Sequence, residues 1–337
     1  MKKVFIIALC LIAVGSIVFV CVMAANHWDF SKLVTQKLVE TVHNTEGEFD
    51  SISIMSDTAD IEILMSDDEK CRVECYEYEN EKHTVSIADG TLKIESVDER
   101  KWYEHIGITA HSPSIKIFLP EKEYRALSID ESTGDISIKE YFKFDSIDIK
   151  VSTGDVLIEN TCMGDVNIEA STADITLSFA ECSGNVGISA STGDIQLSSV
   201  NCDGDITTRV STGKTTLNTL TCKALRMTAS TGKTLMTDVN CTEIISEADT
   251  GDITMKNVIA VKSFNLSRST GDVFFDMCDA GEIFVQTSTG DVTGTLISDK
   301  IFFAESDTGH VEVPKSTVGE CCEISTDTGD INISVVK

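Results

Sequence analysis

A chain of 337 residues carrying a formal charge of −28 is poorly suited to nucleic acid, whose phosphates need Lys and Arg. The same charge opposes lying flat on anionic lipid and leaves cations, basic proteins or plain solubility as what the surface suits. Length alone allows two ordinary domains, so the organisation has to come from the pattern along the chain.

Lys2 and Lys3 precede an apolar run from Val4 to Ala25, softened by Gly15 and Ser16. About twenty such residues cross a hydrocarbon core of roughly 30 Å. The run therefore predicts a transmembrane anchor over residues 1–25. The flanking lysines place the N-terminus in the cytoplasm, making a single-pass cell-membrane protein with an extracellular body. A cleaved signal peptide ending at Val22-Met23-Ala24 is the rival, but its apolar core would exceed the usual ~7–15 residues. A lipoprotein fits less well, because the bulky Leu9 and Val20 stand before Cys10 and Cys21.

Residues 26–48 read as a juxtamembrane stalk. Phe30, Leu33, Val34, Leu38 and Val42 recur there at near-helical spacing and suggest a short amphipathic helix. Residues 49–125 read as an N-terminal solenoid cap with a hairpin insertion. Repeat-like sequence first appears at Phe49 to Ile54 and Asp57-Thr58-Ala59-Asp60-Ile61, and then the rhythm breaks. Strand-like runs Arg72–Tyr78, Thr84–Ile87 and Thr91–Ile94, with an Asp89-Gly90 turn, predict the inserted β-hairpin. Ser114 to Pro120 returns the chain to register.

Residues 126–337 are repeats. Ser132-Thr133-Gly134-Asp135 recurs with small changes until Asp327-Thr328-Gly329-Asp330, and Gly134 to Gly329 is 195 residues over ten intervals, a mean period of 19.5. Apolar residues alternate with polar ones inside each period, as in Val156, Ile158, then Val166, Ile168, Ala170, which marks short half-buried strands. A weaker turn, Met163-Gly164-Asp165 or Asp203-Gly204-Asp205, lies halfway round. Each period is thus a coil of at least two strands and two corners. One coil alone buries too little to order its backbone, so coils must stack and share a core. The fold expected is all-β, a parallel β-helix or β-solenoid with ~20-residue coils, with right-handed winding expected, rising about 4.8 Å per coil. The chain stops on the strand Ile331 to Val336, which leaves that coil as an open edge expected to support end-to-end self-association.

The anchor, the Ile115 to Pro120 segment and the run of Thr-Gly-Asp-Ile/Val turns together resemble a bacterial family of uncharacterised β-strand-repeat domains known as putative adhesins. The resemblance spans roughly residues 48–337. It implies a β-helical solenoid in the cell envelope, in the neighbourhood of envelope-stress systems, and it brings no catalytic residues with it.

Three ladders invite chemistry. The turn acids Asp135, Asp155, Asp174, Asp194, Asp252, Asp272, Asp291 and Asp330 share one column with Lys214, Lys233 and His310. Clustered oxygens suit Ca²⁺, but the dense glycine-rich nonapeptide of calcium-binding β-rolls is absent. Each Asp capping its own turn is the simpler reading. The column Thr133 to Thr328 could meet a crystal face, yet a Thr before a turn glycine is better explained by turn hydrogen bonding. Cys162, Cys182, Cys202, Cys222 and Cys241 recur once per coil. Parallel side chains make poor disulfides, and paired Cys or His partners for a metal are missing, which favours a buried thiol ladder.

Cys71 and Cys75 share a strand face without forming a motif, and the six histidines are scattered. The expectation is accordingly no catalytic residue, no metal ligand and no cofactor. Trp102, Tyr103, His105 and His111 form the one irregular aromatic stretch and mark the best place for a recognition surface. The function expected is a non-enzymatic, anchored, adhesin-like solenoid contacting a cell-envelope protein or polysaccharide. A regulatory partner in an envelope-stress response, acting through the membrane segment, is the alternative. A polysaccharide-active enzyme is a remote third, because the repeats are most regular where a groove would lie.

Overall fold

The computed structural model describes residues 2–25, 27–28, 38–98, 112–139 and 141–336. Helix α1 (Lys2–Ala25) is long and apolar enough to cross a membrane and is exposed along nearly all of its length. The rest of the described chain is a β-solenoid.

One coil shows how the sequence makes the fold. In the strands Ile175–Cys182 and Val186–Thr192, the side chains of Ile175, Leu177, Ala180, Cys182, Val186, Ile188 and Ala190 are buried. The step from Leu177 to Ala180 breaks strict alternation, and Phe179 between them has φ 51°. A single left-handed residue turns the strand and shifts its parity by one, so both halves still face the core. The same device recurs at Asn160, Ser199, Thr219, Asp238, Asn257 and Met277. Each such coil therefore has a third bend beyond its two corners.

Coils stack in parallel with like over like: Ile175 over Ile195, Leu177 over Leu197, Cys182 over Cys202. The Thr-Gly-Asp corner is the tightest contact between coils. A Cβ on Gly213 would lie 1.9 Å from the Gly193 carbonyl oxygen, and Gly213 also has φ 155°. The column is glycine because the neighbouring coil's backbone occupies the space a side chain would need.

The two ends depart from simple order. Strands β1 (Leu38–Asn44), β2 (Ser51–Ser56), β3 (Asp60–Met65), β4 (Arg72–Tyr78), β5 (Glu81–Ala88), β6 (Thr91–Asp98), β7 (Ser114–Leu119), β8 (Glu123–Thr133) and β9 (Ile136–Ile138) build the first end. The coil β2–β3 comes first in sequence but is interior. Ile54 pairs with Ile129 of β8 on one side and Ile94 of β6 on the other. Ile63 likewise lies between Ile138 of β9 and Ile117 of β7. Outside them run antiparallel strands, with β4 on β7, β1 on β4 and β5 on β6. The β5–β6 hairpin turns at Asp89 and Gly90, both with positive φ, as its sequence leads one to expect.

Two expectations are corrected here. Leu38 and Val42 belong not to a helix but to β1, because the free edge of β4 takes them as a partner strand, Thr41 facing Cys75. Phe30, Leu33 and Val34 lie outside the described residues. The second correction concerns the far end. The last strands, Glu320–Thr328 and Ile331–Val335, slot between the coil Val273–Leu296 and the coil Lys300–Glu312. The C-terminal coil is therefore interior, and the edge among the described residues is Lys300–Ser306 with Val311–Glu312. A strand paired on both sides satisfies its amides and carbonyls, which a terminal position would leave open on one side.

Gly213→Ala is expected to cost more than about 2 kcal/mol in denaturant unfolding, because the methyl overlaps a fixed carbonyl. An unchanged midpoint would refute the steric account of the column.

Candidate functional site

The acidic column is wired between coils rather than within them. Asp155 donates its backbone N–H to Asp135 Oδ1 at 2.8 Å, Asp174 to Asp155 at 2.9 Å, and Asp194 to Asp174 at 2.7 Å. The expectation that each Asp caps its own turn is thus replaced: each carboxylate accepts the amide of the next coil. The geometry explains this, since the glycine amide and the amide after the Asp already reach carbonyls of the next coil, leaving the Asp amide without a backbone acceptor. Lys214 donates its amide to Asp194 in the same way but offers no acceptor to the next coil, and Lys233 instead reaches Asp252 Oδ2 at 3.0 Å. At the tucked end the wiring runs from Asp291 to Asp330 to His310, out of sequence order, in keeping with the insertion of the last coil. The second corner repeats the device with a neutral group: the Asn185 amide donates to Asp165 Oδ1, and Asn185 Oδ1 in turn accepts the Asp205 amide at 3.0 Å.

Through most of their column the threonines contribute backbone carbonyls to the turn, as when Gly154 donates to Thr172 O, while their side chains are exposed. The cysteine ladder is shorter than its spacing suggests. Cys162 pairs with Glu181, and Met163 takes the inward place opposite Cys182, so the ladder is Cys182, Cys202, Cys222 and Cys241. A parity slip of one residue turns Cys162 away. A neighbouring thiol and burial push the Cys182 and Cys222 thiols well up. Trp102, Tyr103, His105 and His111 lie outside the described residues.

Polar side chains converge at the corner where the cap meets the coils. β4 and β5 pair only at Tyr78 and Glu81, after which β4 runs with β7 and β5 with β6. Where they part, the His83 amide has lost its strand partner, and Glu77 Oε2 accepts it at 2.7 Å. The same oxygen lies 3.1 Å from His83 Nδ1, and His83 Nε2 lies 3.3 Å from Ser56 Oγ. Ser56 hydrogen-bonds Glu131, whose Oε1 also accepts the amides of Ala59 and Thr133 at 3.3 and 3.2 Å. Cys75, two residues before Glu77 on the same strand, completes the group. Glu77, His83, Ser56, Glu131 and Cys75 are all buried.

The line Ser56, His83, Glu77 has the connectivity of a hydrolytic triad. It is not poised as one, because the Ser56 hydroxyl is buried and engaged by Glu131. Sequence reasoning missed this cluster because Cys75-x-Glu77 and His83 are joined across a hairpin turn, not by a helical metal-ligand spacing. The signal available was a Cys and a Glu on one strand face followed closely by a turn and a His.

Burial raises the Glu131 carboxyl to about 7 from 4.5, against the hydrogen bonds from Ser56, Thr133 and Ala59. A carboxyl raised in the folded state stabilises fully below its unfolded value and loses that contribution as pH climbs through 7. Glu131→Gln keeps the acceptor oxygen without the charge. It is expected to be more stable than the parent by up to about 3 kcal/mol at pH 8 and equal to it near pH 4.5 in urea unfolding. A constant difference across that range would contradict the assignment. Asp174→Ala should cost about 1 kcal/mol and Asp174→Asn under about 0.5, since only the first leaves the Asp194 amide unpaired. Equal losses in the two variants would remove the acceptor role from the column.

Comparison with solved structures finds similar chains at low identity. A putative adhesin from Parabacteroides distasonis is 12% identical, with 89% of this chain and 98% of that one covered at a TM-score of 0.47. A putative lipid binding protein from the same species is 16% identical over 88% and 96%, with a TM-score of 0.39. A putative adhesin from Bacteroides fragilis is 14% identical over 88% and 97%, with a TM-score of 0.33. Among curated proteins none matches. The family assignment rests on residues 49–211 and 204–337, which both match Toastrack DUF4097: the chain is a member of the Toastrack DUF4097 family.

Proposed function

We propose that this chain is a non-enzymatic rod held to the cell membrane by α1, with its solenoid outside and its surface available to envelope protein or polysaccharide. The observation that carries the reading is where the polar chemistry lies. The turn acids are committed to holding coil on coil, and the irregular polar cluster among the described residues is buried under the cap. What faces outward is a regular, strongly acidic surface, suited to contact and not to turnover. The apolar α1 supports anchoring, and the two lysines at its start support an N-terminus in the cytoplasm. End-to-end self-association, if this rod uses it, moves with the edge to Lys300–Ser306, where Phe303 is 60% exposed.

The test is crosslinking on intact cells with the full chain and with residues 38–337, which retain β1, purified and added from outside. Capture of envelope protein or wall polymer by both forms is expected. Capture of membrane proteins alone, and only with residues 1–37 present, would replace this reading with a regulatory role through the anchor.

A further inference from the structure

Three different donor types meet beneath the cap hairpin. One atom each from the Cys75 thiol, the Glu77 carboxylate and the His83 imidazole lies within 4.8 Å of the other two. All three residues are buried, Cys75 and Glu77 completely. We propose that Cys75, Glu77 and His83 form a binding site for a divalent transition ion of the zinc class, closing the point where β4 and β5 part.

The donor set selects the ion. A sulfur and an imidazole nitrogen suit zinc-like ions, whereas calcium and magnesium favour oxygen alone. Ligand bonds of about 2.0–2.3 Å place tetrahedral ligands roughly 3.3–3.8 Å apart, so small side-chain adjustments bring the three donors onto one ion. An independent observation points to a missing positive partner. Glu77 Oε2 takes both the amide and the ring of His83, but Glu77 Oε1 is buried with no hydrogen-bond partner among the described residues. A buried carboxylate oxygen left unpaired is costly, and a cation is what resolves it. As a purely structural pair, Glu77 and His83 would leave that oxygen unpaired.

An outer support is already in place. With the ion on Nδ1, the ring carries its proton on Nε2, which faces Ser56 Oγ at 3.3 Å. Second partners of this kind fix the orientation of ligating histidines. Binding releases the Cys75 thiol proton to solvent and leaves thiolate on the ion. The site would tie β4 to β5 just where their backbone pairing ends, fastening the cap that covers the first coils.

The experiment uses the full chain in detergent, stripped with chelator, loaded with Co²⁺ and dialysed. About one ion per chain is expected to remain, with a thiolate-to-cobalt charge-transfer band in the near ultraviolet. Cys75→Ser should abolish the band and His83→Gln should lower retention at least tenfold. Cys202→Ser, in the core ladder, should change neither. No retained Co²⁺, a band that survives Cys75→Ser, or a band lost with Cys202→Ser would overturn the proposal. If Cys75→Ser does not fold, the parent protein decides: its Tm must rise with Zn²⁺ and fall back with chelator, and a Tm indifferent to both overturns the site.

Discussion

Everything in this molecule depends on one contact, the stacking of Thr-Gly-Asp corners from coil to coil. There the backbones come so close that a Cβ on Gly193 would sit 1.9 Å from the Ala173 carbonyl oxygen. At the same corner the Asp amide finds its acceptor only in the carboxylate of the preceding coil. Close approach needs glycine, and the orphan amide needs an oxygen. These two needs together write Gly-Asp into seven of the eleven corners and hold the period at 19 or 20 residues. The column admits a few changes: Ala173 stands in one corner without a positive φ, and Lys214 and Lys233 interrupt the acids, with Lys233 forming an ion pair with Asp252.

The ends solve a different problem. A stack of parallel coils has two open faces, and any coil placed there leaves half its backbone groups unpaired. The chain tucks its first and last coils inside and closes each end with other strands. At the first end that material is the antiparallel set β4, β1 and β5, which cannot continue the parallel ladder. At the other end it is the coil Lys300–Glu312, which remains an edge. There Lys300 is buried yet satisfied, its Nζ 2.8 Å from Asp279 Oδ1 and bonded to the Ala280 carbonyl.

Antiparallel capping brings a cost of its own, and the polar cluster answers it. When β4 and β5 separate to follow β7 and β6, an amide is stranded, and Glu77 is drawn inward to receive it. A buried charge calls for partners, and His83, Ser56 and Glu131 follow in hydrogen-bonded sequence. The corner position that Glu131 fills is Val or Ala through the middle coils, as at Val151, Ala170 and Ala190. The same position turns polar again nearer the other end, at the buried Arg268, Thr287 and Thr326, so only the middle coils keep it apolar.

The sequence by itself determined the repeat, its period, the all-β class, the apolar N-terminal helix and the Asp89-Gly90 hairpin. Each of these comes from local periodicity or from residues with special backbone freedom. Only the tertiary structure decided what depends on neighbours remote in sequence. Leu38 and Val42 match a helix in spacing but become a strand because β4 offers a free edge. Cys162 keeps the period of the ladder but loses its place to Met163 through a one-residue parity slip. The threading of the last coil between two earlier ones leaves no trace in a sequence whose periods look alike. Nor does the meeting of Cys75, Glu77 and His83, since their approach is set by where two strands diverge and not by any spacing along the chain.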